Sequence, residues 1–300
     1  MSRQQLTKAA PGGEHVAGKE TRTRLLEAIP AAERTLELAG VRTPVLEGGE
    51  GPPVVILHGL GQFAATWSRV IPRLITTHRV IVPDLPGLGA SEVEDGLLGA
   101  DRVLEWLKEL IEATCPSPPA LVGHTVGGAI AARFAVDHSD RIDRLVLVDP
   151  FGLGAFRPAP RFALAMVGFL ARPTEQTRDR FLGQCMLDLE GVHAEMGEEW
   201  ELLAAYALQG ARTPTVKSAG RSLMKAFGVS AIPDADLGRI AVPTTLIWGR
   251  HDLETRIRVG ESASARYGWP LYVIEDCASD PNIETPEALH DALSRALGDR

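Results

Sequence analysis

Cysteine, basic runs and long apolar stretches are scarce in this 300-residue sequence. The three cysteines, Cys115, Cys185 and Cys277, lack the spacing of a zinc site or a disulfide framework, which predicts a reducing, cytoplasmic location. Lysine and arginine number 31 against 39 acidic residues, for a formal charge of −8, which argues against a nucleic-acid or anionic-membrane surface. No apolar stretch reaches the roughly 20 uninterrupted residues that span a bilayer, so no membrane insertion is predicted.

Motifs for bound cofactors are also missing. The sequence has no GxGxxG, GxxxxGK[ST] or HExxH segment, so we predict neither a cofactor nor a metal. Residues 1–32 mix charged residues with glycine and proline and lack the apolar core of a signal peptide. This composition predicts a flexible leader.

Strand and helix patterns alternate through the remaining chain. Two strands joined by a turn at Gly40 are predicted, and continuous apolar runs typical of strands buried on both sheet faces follow them. The alternation predicts an α/β fold with a mostly parallel, twisted sheet of about eight strands and helices on both faces. The predicted strands cover residues 35–38, 41–47, 54–57, 80–82, 120–122, 145–148, 244–248 and 271–274, and the helices cover residues 64–74, 101–113, 128–138 and 255–267.

One long segment interrupts this alternation. Residues 151–235 carry helical patterning without a convincing buried strand, and they hold eight of the chain's 16 aromatic residues. We interpret this segment as a helical lid, or cap, inserted after strand 6. The core domain would then comprise residues 33–150 and 236–300.

The most informative turn follows the strand at residues 120–122. A Gly-x-Thr-x-Gly turn, Gly123 to Gly127, leads at once into a helix of small residues. Glycines two positions before and two after the central residue allow a strand and a helix to approach closely around a sharp turn. Such a turn places Thr125 at the carboxyl edge of the sheet, where open α/β sheets bind their ligands.

With this turn the chain resembles the α/β-hydrolase superfamily, in its esterase, C–C hydrolase and haloperoxidase-like branch. Four further segments match that family in the expected order, from residue 33 to the C-terminus: His58-Gly59-Leu60-Gly61, the D-x-P-G-x-G-x-S segment at residues 84–91, the acid loop at residues 248–252, and Glu284-Thr285-Pro286. The resemblance implies an α/β-hydrolase fold with a nucleophile position at Thr125, an acid position at Asp252 and an oxyanion hole formed by the backbone amides of Leu60 and Val126. It also implies that the site is supported by His58, Gly59, Gly61, Gly123, His124 and Gly127.

Two positions depart from the family pattern. Its elbow residue is serine, or occasionally aspartate or cysteine, whereas this chain has Thr125; its histidine position, aligned on the following E-x-P segment, is Ser279. A hydroxyl is a weak nucleophile until a base takes its proton, and Ser279 cannot act as that base. A β-branched residue is also strained at positive φ. Either both changes are natural divergence or they were introduced experimentally into an active hydrolase. Natural divergence is favoured, because Ala278 also replaces a family glycine and because an experimental knock-out usually introduces alanine rather than threonine.

Other residues leave the question of a base open. His124, His251 and Asp280 are alternatives for a substitute base, although a packed core role is favoured for His124 and loop roles for the other two. Asp252 without an imidazole is either an acid–base group or a carboxylate held by Arg250 or by loop amides. Asp149 ends a strand and is interpreted as the cap of the next turn.

Three functions are compatible with this pattern. The first is an enzyme with a degenerate triad that binds a hydrophobic carbonyl or acyl compound in a closed pocket beneath the lid and guides a non-hydrolytic step such as cyclisation, addition or elimination. The second is a residual or unconventional hydrolase of esters or C–C bonds that uses Thr125 or a water molecule. The third is a ligand-binding protein without catalysis. In each case the partner is a small apolar molecule, and the oligomeric state is open.

Overall fold

The computed structural model describes residues 11–298, whose strands form one nine-stranded sheet. The strands are β1 (Ala32–Leu38), β2 (Val41–Gly48), β3 (Pro53–Leu57), β4 (Arg79–Pro83), β5 (Glu92–Val93), β6 (Ala120–His124), β7 (Arg144–Val148), β8 (Thr244–Gly249) and β9 (Leu271–Ile274). Their order is β1-β2-β4-β3-β6-β7-β8-β9, with β5 paired to β2. Strands β3, β4 and β6 to β9 are mutually parallel, and β2 joins them in antiparallel register. The predicted parallel α/β sheet is confirmed.

Helices cover both faces of the sheet. The central strands β3 and β6 are therefore buried on both sides. The two apolar clusters that result, one on each face, are built around Trp106 and Trp67. The helices are α1 (Pro11–Glu27), α2 (Ile71–Leu74), α3 (Ala100–Thr114), α4 (Val126–His138), α5 (Pro160–Ala171), α6 (Glu175–Cys185), α7 (Leu189–Met196), α8 (Glu198–Arg212), α9 (Pro214–Leu223), α10 (Asp234–Leu237), α11 (Arg258–Tyr267), α12 (Pro281–Glu284) and α13 (Pro286–Leu297).

The N-terminal segment differs from the predicted flexible leader. Residues 11–27 form α1, while residues 1–10 lie outside the described part of the chain. Arg22 of this helix is only 6% exposed and pairs with Asp84 at 2.9 Å and with Glu33. Leu25 and Ile29 are buried against the core. The buried ion pair and apolar contacts hold a helix that the local composition does not suggest, because its partners come from distant parts of the chain.

Two smaller elements also differ from the sequence-based expectation. The helix predicted over residues 64–74 is divided into a 3₁₀ turn at Ala64–Trp67 and α2, because Pro72 cannot donate to a preceding carbonyl and its ring obstructs a continuous helix. The two-residue strand β5 was not predicted, which makes the sheet nine-stranded and places the helical insertion after the seventh strand in chain order.

The segment between β7 and β8 carries helices α5 to α10 and a π-helical turn at Met224–Gly228. A separate apolar cluster around Phe162 and Trp200 forms within it. Its helix α9 packs on the core, since Ala219 lies directly against Gly87 of the D-x-P-G-x-G-x-S segment. Within residues 11–298, none of the helices combines the length and apolar character needed to cross a bilayer.

Candidate active site

The turn at Thr125 has the backbone geometry of a nucleophile elbow. Thr125 has φ 45° and ψ −108°, and only 3% of its surface is exposed. Its N–H donates to Val148 O at 3.1 Å, and its carbonyl accepts from the N–H groups of Ala129 at 3.1 Å and Phe151 at 3.0 Å. A β-branched residue in this region carries strain of about 1–3 kcal/mol. Packing and these three hydrogen bonds therefore hold a conformation that the isolated residue avoids.

Glycine is required on both sides of this turn. A Cβ atom on Gly123 would lie 2.5 Å from Gly127 O, and one on Gly127 would lie 2.4 Å from Leu57 O. Both obstructing atoms belong to the backbone, so neither can move aside at low cost. The spacing of the two glycines thus reflects direct contact between β6, the first turn of α4 and the end of β3.

The hydroxyl of Thr125 lies against a predicted oxyanion donor. The Leu60 N–H donates to Thr125 Oγ1 at 3.3 Å. Among the described residues, this amide is the hydrogen-bond partner that the structure gives to Oγ1. The hydroxyl therefore lies where a substrate oxygen could bind, and no histidine of residues 11–298 forms a hydrogen bond with it.

His58 fixes the loop that carries Leu60. The His58 side chain is fully buried; its Nε2 accepts from the Leu85 N–H at 2.9 Å, and its Nδ1 contacts Gly59 O at 2.9 Å. Burial lowers the pKa of His58, which favours the neutral ring with a proton on Nδ1. Nearby, Asp84 accepts from the Ala64 and Ala90 amides, each at 2.8 Å, and so joins this loop to the D-x-P-G-x-G-x-S segment.

His124 connects the elbow to the loop that holds Ser279. The ring is 1% exposed; its Nε2 lies 2.7 Å from Ser279 O, and its Nδ1 lies 3.2 Å from Gln62 Oε1. Burial lowers the pKa of His124 to about 4, so the imidazole is neutral near pH 7 and donates to the Ser279 carbonyl. Gln62 Nε2 donates in turn to Asp280 Oδ1 at 2.8 Å. The neutral ring leaves Nδ1 unprotonated beside Gln62 Oε1, so polar contacts rather than an unbroken chain of hydrogen bonds connect the elbow to Asp280.

Ser279 itself is bound to the helical insertion. Its N–H and Oγ both contact Cys185 O, at 2.9 and 3.3 Å, and the residue is 1% exposed. In the same loop, Glu284 accepts from the Ala278 N–H at 2.8 Å and from the Leu187 N–H of the insertion. The Glu284 side chain of the E-x-P segment is therefore a structural anchor that joins this loop to the insertion.

Asp252 is held by its own loop. Its Oδ1 accepts from the N–H groups of Glu254 at 2.7 Å and Thr255 at 3.1 Å, and its Oδ2 accepts from Thr255 Oγ1 at 2.5 Å. The expected partner is therefore the loop amides rather than Arg250. Arg250 pairs with Glu275 instead, at 2.7 and 2.8 Å. His251 is exposed on the same loop.

Asp149 lies beside Asp252 rather than acting as the expected turn cap. Its Oδ1 accepts from the Gly249 N–H at 2.9 Å, so its contact is with the end of β8 and not with its own turn. Complete burial and the charge of Asp252 raise the pKa of Asp149 well above its ordinary value. Burial raises the pKa of Asp252 to about 6, against the effect of the Thr255 hydrogen bonds. The arrangement favours a protonated Asp149 next to an ionised Asp252 near pH 7.

Two further carboxyl groups face this pair. Burial, and then the charges of Glu284 and Asp252, raise the pKa of Asp280 to about 7. Burial, and then the charges of Asp252 and Asp280, raise the pKa of Glu254 well above its ordinary value. The centre therefore contains carboxyl groups that can exchange protons near neutral pH.

Sequence reasoning missed several members of this centre. Gln62 directly follows the His58-Gly59-Leu60-Gly61 segment, and Glu254 and Thr255 lie two and three positions after Asp252. An acidic residue with a threonine three positions later is a recognisable local hydrogen-bonding pattern, which could have identified Thr255. Nothing in the local sequence of Gln62 indicates that its amide reaches Asp280 across the site.

A pocket lies next to these residues. It has a volume of about 170 Å³, and Phe151, Glu254 and Thr255 are among its lining residues. A second pocket lies between α1 and α8, at Leu25 and Leu202. Neither of these two pockets is lined by Thr125, Asp252 or Ser279. The closed pocket expected directly above Thr125 stays a prediction.

Fold and elbow geometry together define a member of a known family. The chain belongs to the α/β-hydrolase family, whose sequence model matches residues 54–292. The matched span runs from β3 to α13 and includes the elbow, Asp252 and Ser279.

Several curated relatives are hydrolases of carbonyl compounds. The chain is 32% identical over 224 residues to the 2-hydroxy-6-oxo-6-phenylhexa-2,4-dienoate hydrolase of Comamonas testosteroni, covering 69% of this chain and 73% of the relative. It is 33% identical over 139 residues to a pimeloyl-[acyl-carrier protein] methyl ester esterase of Aeromonas hydrophila, covering 45% of this chain and 54% of that protein. A solved carboxylesterase from Bacillus subtilis superposes with a TM-score of 0.81 at 18% identity, covering 96% of this chain and all of the other. That structure supports the fold.

Proposed function

We propose that this protein is an enzyme with a degenerate triad that binds a hydrophobic carbonyl or acyl compound and guides a non-hydrolytic step: cyclisation, addition or elimination. The observation that carries the proposal is the environment of the Thr125 hydroxyl, which contacts the Leu60 amide at 3.3 Å and is hydrogen-bonded to no histidine among the described residues. A hydroxyl without a positioned base is a poor nucleophile. The site thus favours polarising a bound carbonyl over forming an acyl-enzyme.

The backbone amides of Leu60 and Val126 supply the electrostatic part of this mechanism. A substrate oxygen would displace the Thr125 hydroxyl from the Leu60 N–H and accept from both amides as negative charge develops on it. Each donor of this kind is worth about 3 kcal/mol of transition-state stabilisation. Because these are main-chain groups, they are independent of the side chains at positions 125 and 279.

Asp280 is the proton-transfer group in this proposal. It follows the substituted histidine position directly, and Gln62 holds its Oδ1 at 2.8 Å. The pKa of Asp280 is raised to about 7, so the acid and its carboxylate coexist near neutral pH, where general acid–base catalysis is most efficient. Similarity to hydrolases of a 6-oxo dienoate and of a methyl ester supports a carbonyl or acyl compound as the substrate class.

The test compares the protein with a variant carrying both Thr125→Ser and Ser279→His. Initial rates are measured on short- and medium-chain aryl esters, with the single variant Ser279→His as a matched control. We expect the wild type and the control to be inactive and the double variant to gain at least about 100-fold in kcat/KM, since a positioned base typically contributes 10²–10⁴-fold. Equal hydrolysis by wild type and double variant would contradict the proposal.

A second candidate function is hydrolysis by a water molecule activated by a carboxylate. The observation in its favour is the cluster of Asp252, Glu254 and Asp280, each with a raised pKa. Ester turnover by the wild type that is lost in Asp280→Asn would establish this function instead. Binding of carbonyl compounds without any product from the wild type would indicate a non-catalytic ligand-binding protein.

A further inference from the structure

A second chemical feature lies beside the candidate active site. The pocket of about 170 Å³ is formed by the segment after β7 and the start of α11. Its apolar walls include Phe151 and Phe156, whose rings meet edge to face with centroids 5.2 Å apart. Val259 completes this apolar part, and Arg157, Arg256 and Arg258 line the remainder.

These three arginines stand out in an acidic protein. The chain has a formal charge of −8, and many of its other arginines are paired, as Arg250 is with Glu275. Within residues 11–298, the side chains of Arg157, Arg256 and Arg258 form neither an ion pair nor a hydrogen bond. Unpaired guanidinium groups around one cavity create a positive potential, which the first turn of α11 reinforces.

The acidic residue of the pocket does not cancel this potential. Glu254 also lines the cavity, but burial and the neighbouring charges of Asp252 and Asp280 raise its pKa well above the ordinary value. A raised pKa favours the neutral carboxyl group, which does not repel a bound anion. The pocket thus presents permanent positive charges on one part of its wall and aromatic carbon on another.

Direct hydrogen bonds join the pocket to the elbow and to the acid position. Phe151 N–H donates to Thr125 O at 3.0 Å, and Thr255 Oγ1 donates to Asp252 Oδ2 at 2.5 Å. Phe151 and Thr255 both line the cavity. Two residues that line the cavity are therefore in direct contact with the candidate catalytic centre.

We propose that this pocket binds the carboxylate end of an apolar small molecule, with the arginines on the carboxylate and the phenylalanines on the adjoining carbon atoms. Arginine forms paired hydrogen bonds with carboxylates, and the small volume suits one such group with a short apolar segment. The assignment of this molecule as the enzyme's substrate rests on the proposed function; the binding of the anion does not.

The test uses octanoate as the probe and isothermal titration calorimetry as the measurement. We expect octanoate to bind the full-length wild type more tightly than octanol, its neutral counterpart, and more tightly than inorganic phosphate. Arg256→Gln should weaken octanoate binding about tenfold, and Arg157→Gln combined with Arg256→Gln about 100-fold, because each variant removes one charge-assisted hydrogen bond to the carboxylate. The matched control is Arg295→Gln, an exposed arginine of α13 on the other face of the sheet.

Several outcomes would overturn this proposal. Equal affinity for octanoate and octanol would remove the role of the charge, and equal affinity for phosphate would remove the role of the apolar wall. Unchanged affinity in the double variant, with the melting temperature of the wild type retained, would place the site elsewhere. Ester hydrolysis by the wild type would contradict the proposed function alone, whereas unchanged octanoate affinity in the arginine variants would contradict the pocket assignment alone.

Discussion

The elbow at Thr125 and the loop at Ser279 meet through His124, yet the two regions are stabilised in different ways. The elbow depends on backbone geometry: a positive φ at Thr125 and contacts that exclude a Cβ at Gly123. The Ser279 loop depends on side-chain anchors, since Glu284 binds its backbone and Ser279 contacts Cys185. A backbone-determined turn can retain its shape and its N–H donors when its central side chain changes. A loop held by side chains can exchange its catalytic group for a structural one.

The largest expected effect concerns the backbone contact at the elbow. Gly123→Ala should destabilise the protein by about 3 kcal/mol or more, because the new Cβ would lie 2.5 Å from Gly127 O and only a backbone shift could relieve the clash. Urea unfolding measures the change. Gly99→Ala is the control, since nothing lies within 4 Å of a Cβ at that position, and its effect should stay within about 1 kcal/mol. A mild effect at Gly123 would contradict the close packing of β6 and α4.

The next effect tests the side-chain anchor of the other loop. Glu284→Ala should lower the free energy of unfolding by about 2–3 kcal/mol, because it leaves the amides of Ala278 and Leu187 without their acceptor. Glu287→Ala, at an exposed residue of α13 near Arg73, should change it by less than about 1 kcal/mol. Similar values for the two variants in urea unfolding would show that Glu284 is not an anchor.

The third prediction concerns pH. The pKa of Asp280 is about 7 in the folded protein against an ordinary 3.8, so its protonated form favours folding, and this contribution is lost as the pH rises from about 4 to about 7. Asp280→Asn has no such group. Relative to this variant, the wild type should lose about 3 kcal/mol of stability over that interval. Thermal unfolding of both proteins at pH 4, 5.5 and 7 measures the difference, and parallel curves would contradict the raised pKa.

The smallest effect isolates the strain at the elbow. Both Thr125→Gly and Thr125→Ala remove the hydroxyl, but only glycine adopts φ 45° and ψ −108° without strain. We expect the glycine variant to be the more stable of the two by about 1 kcal/mol, opposite to the usual order of these residues. If calorimetric unfolding showed the alanine variant to be more stable, the elbow at Thr125 would be relaxed rather than strained.

The strands and the sharp turn of the core could be predicted because each depends on a short stretch of sequence. The apolar run of β6 and the glycines around Thr125 predicted both the buried strand and the sharp turn that follows it. Helix α1 was not predicted, because Arg22 is stabilised by Asp84, which lies 62 positions away in the chain. The break before α2 was missed for a different reason, since Pro72 lies inside an otherwise continuous helical pattern.

The sequence by itself determined the parallel α/β fold, the elbow and the absence of a histidine at position 279, because strand patterns, glycine spacing and residue identity are local properties. Only the tertiary structure placed Gln62 against Asp280, Ser279 against Cys185 and Asp149 beside Asp252. It also raised the pKa of Asp149 and Asp280 and placed three arginines around one pocket. Burial and electrostatic interaction depend on which distant segments meet, and no local pattern encodes that.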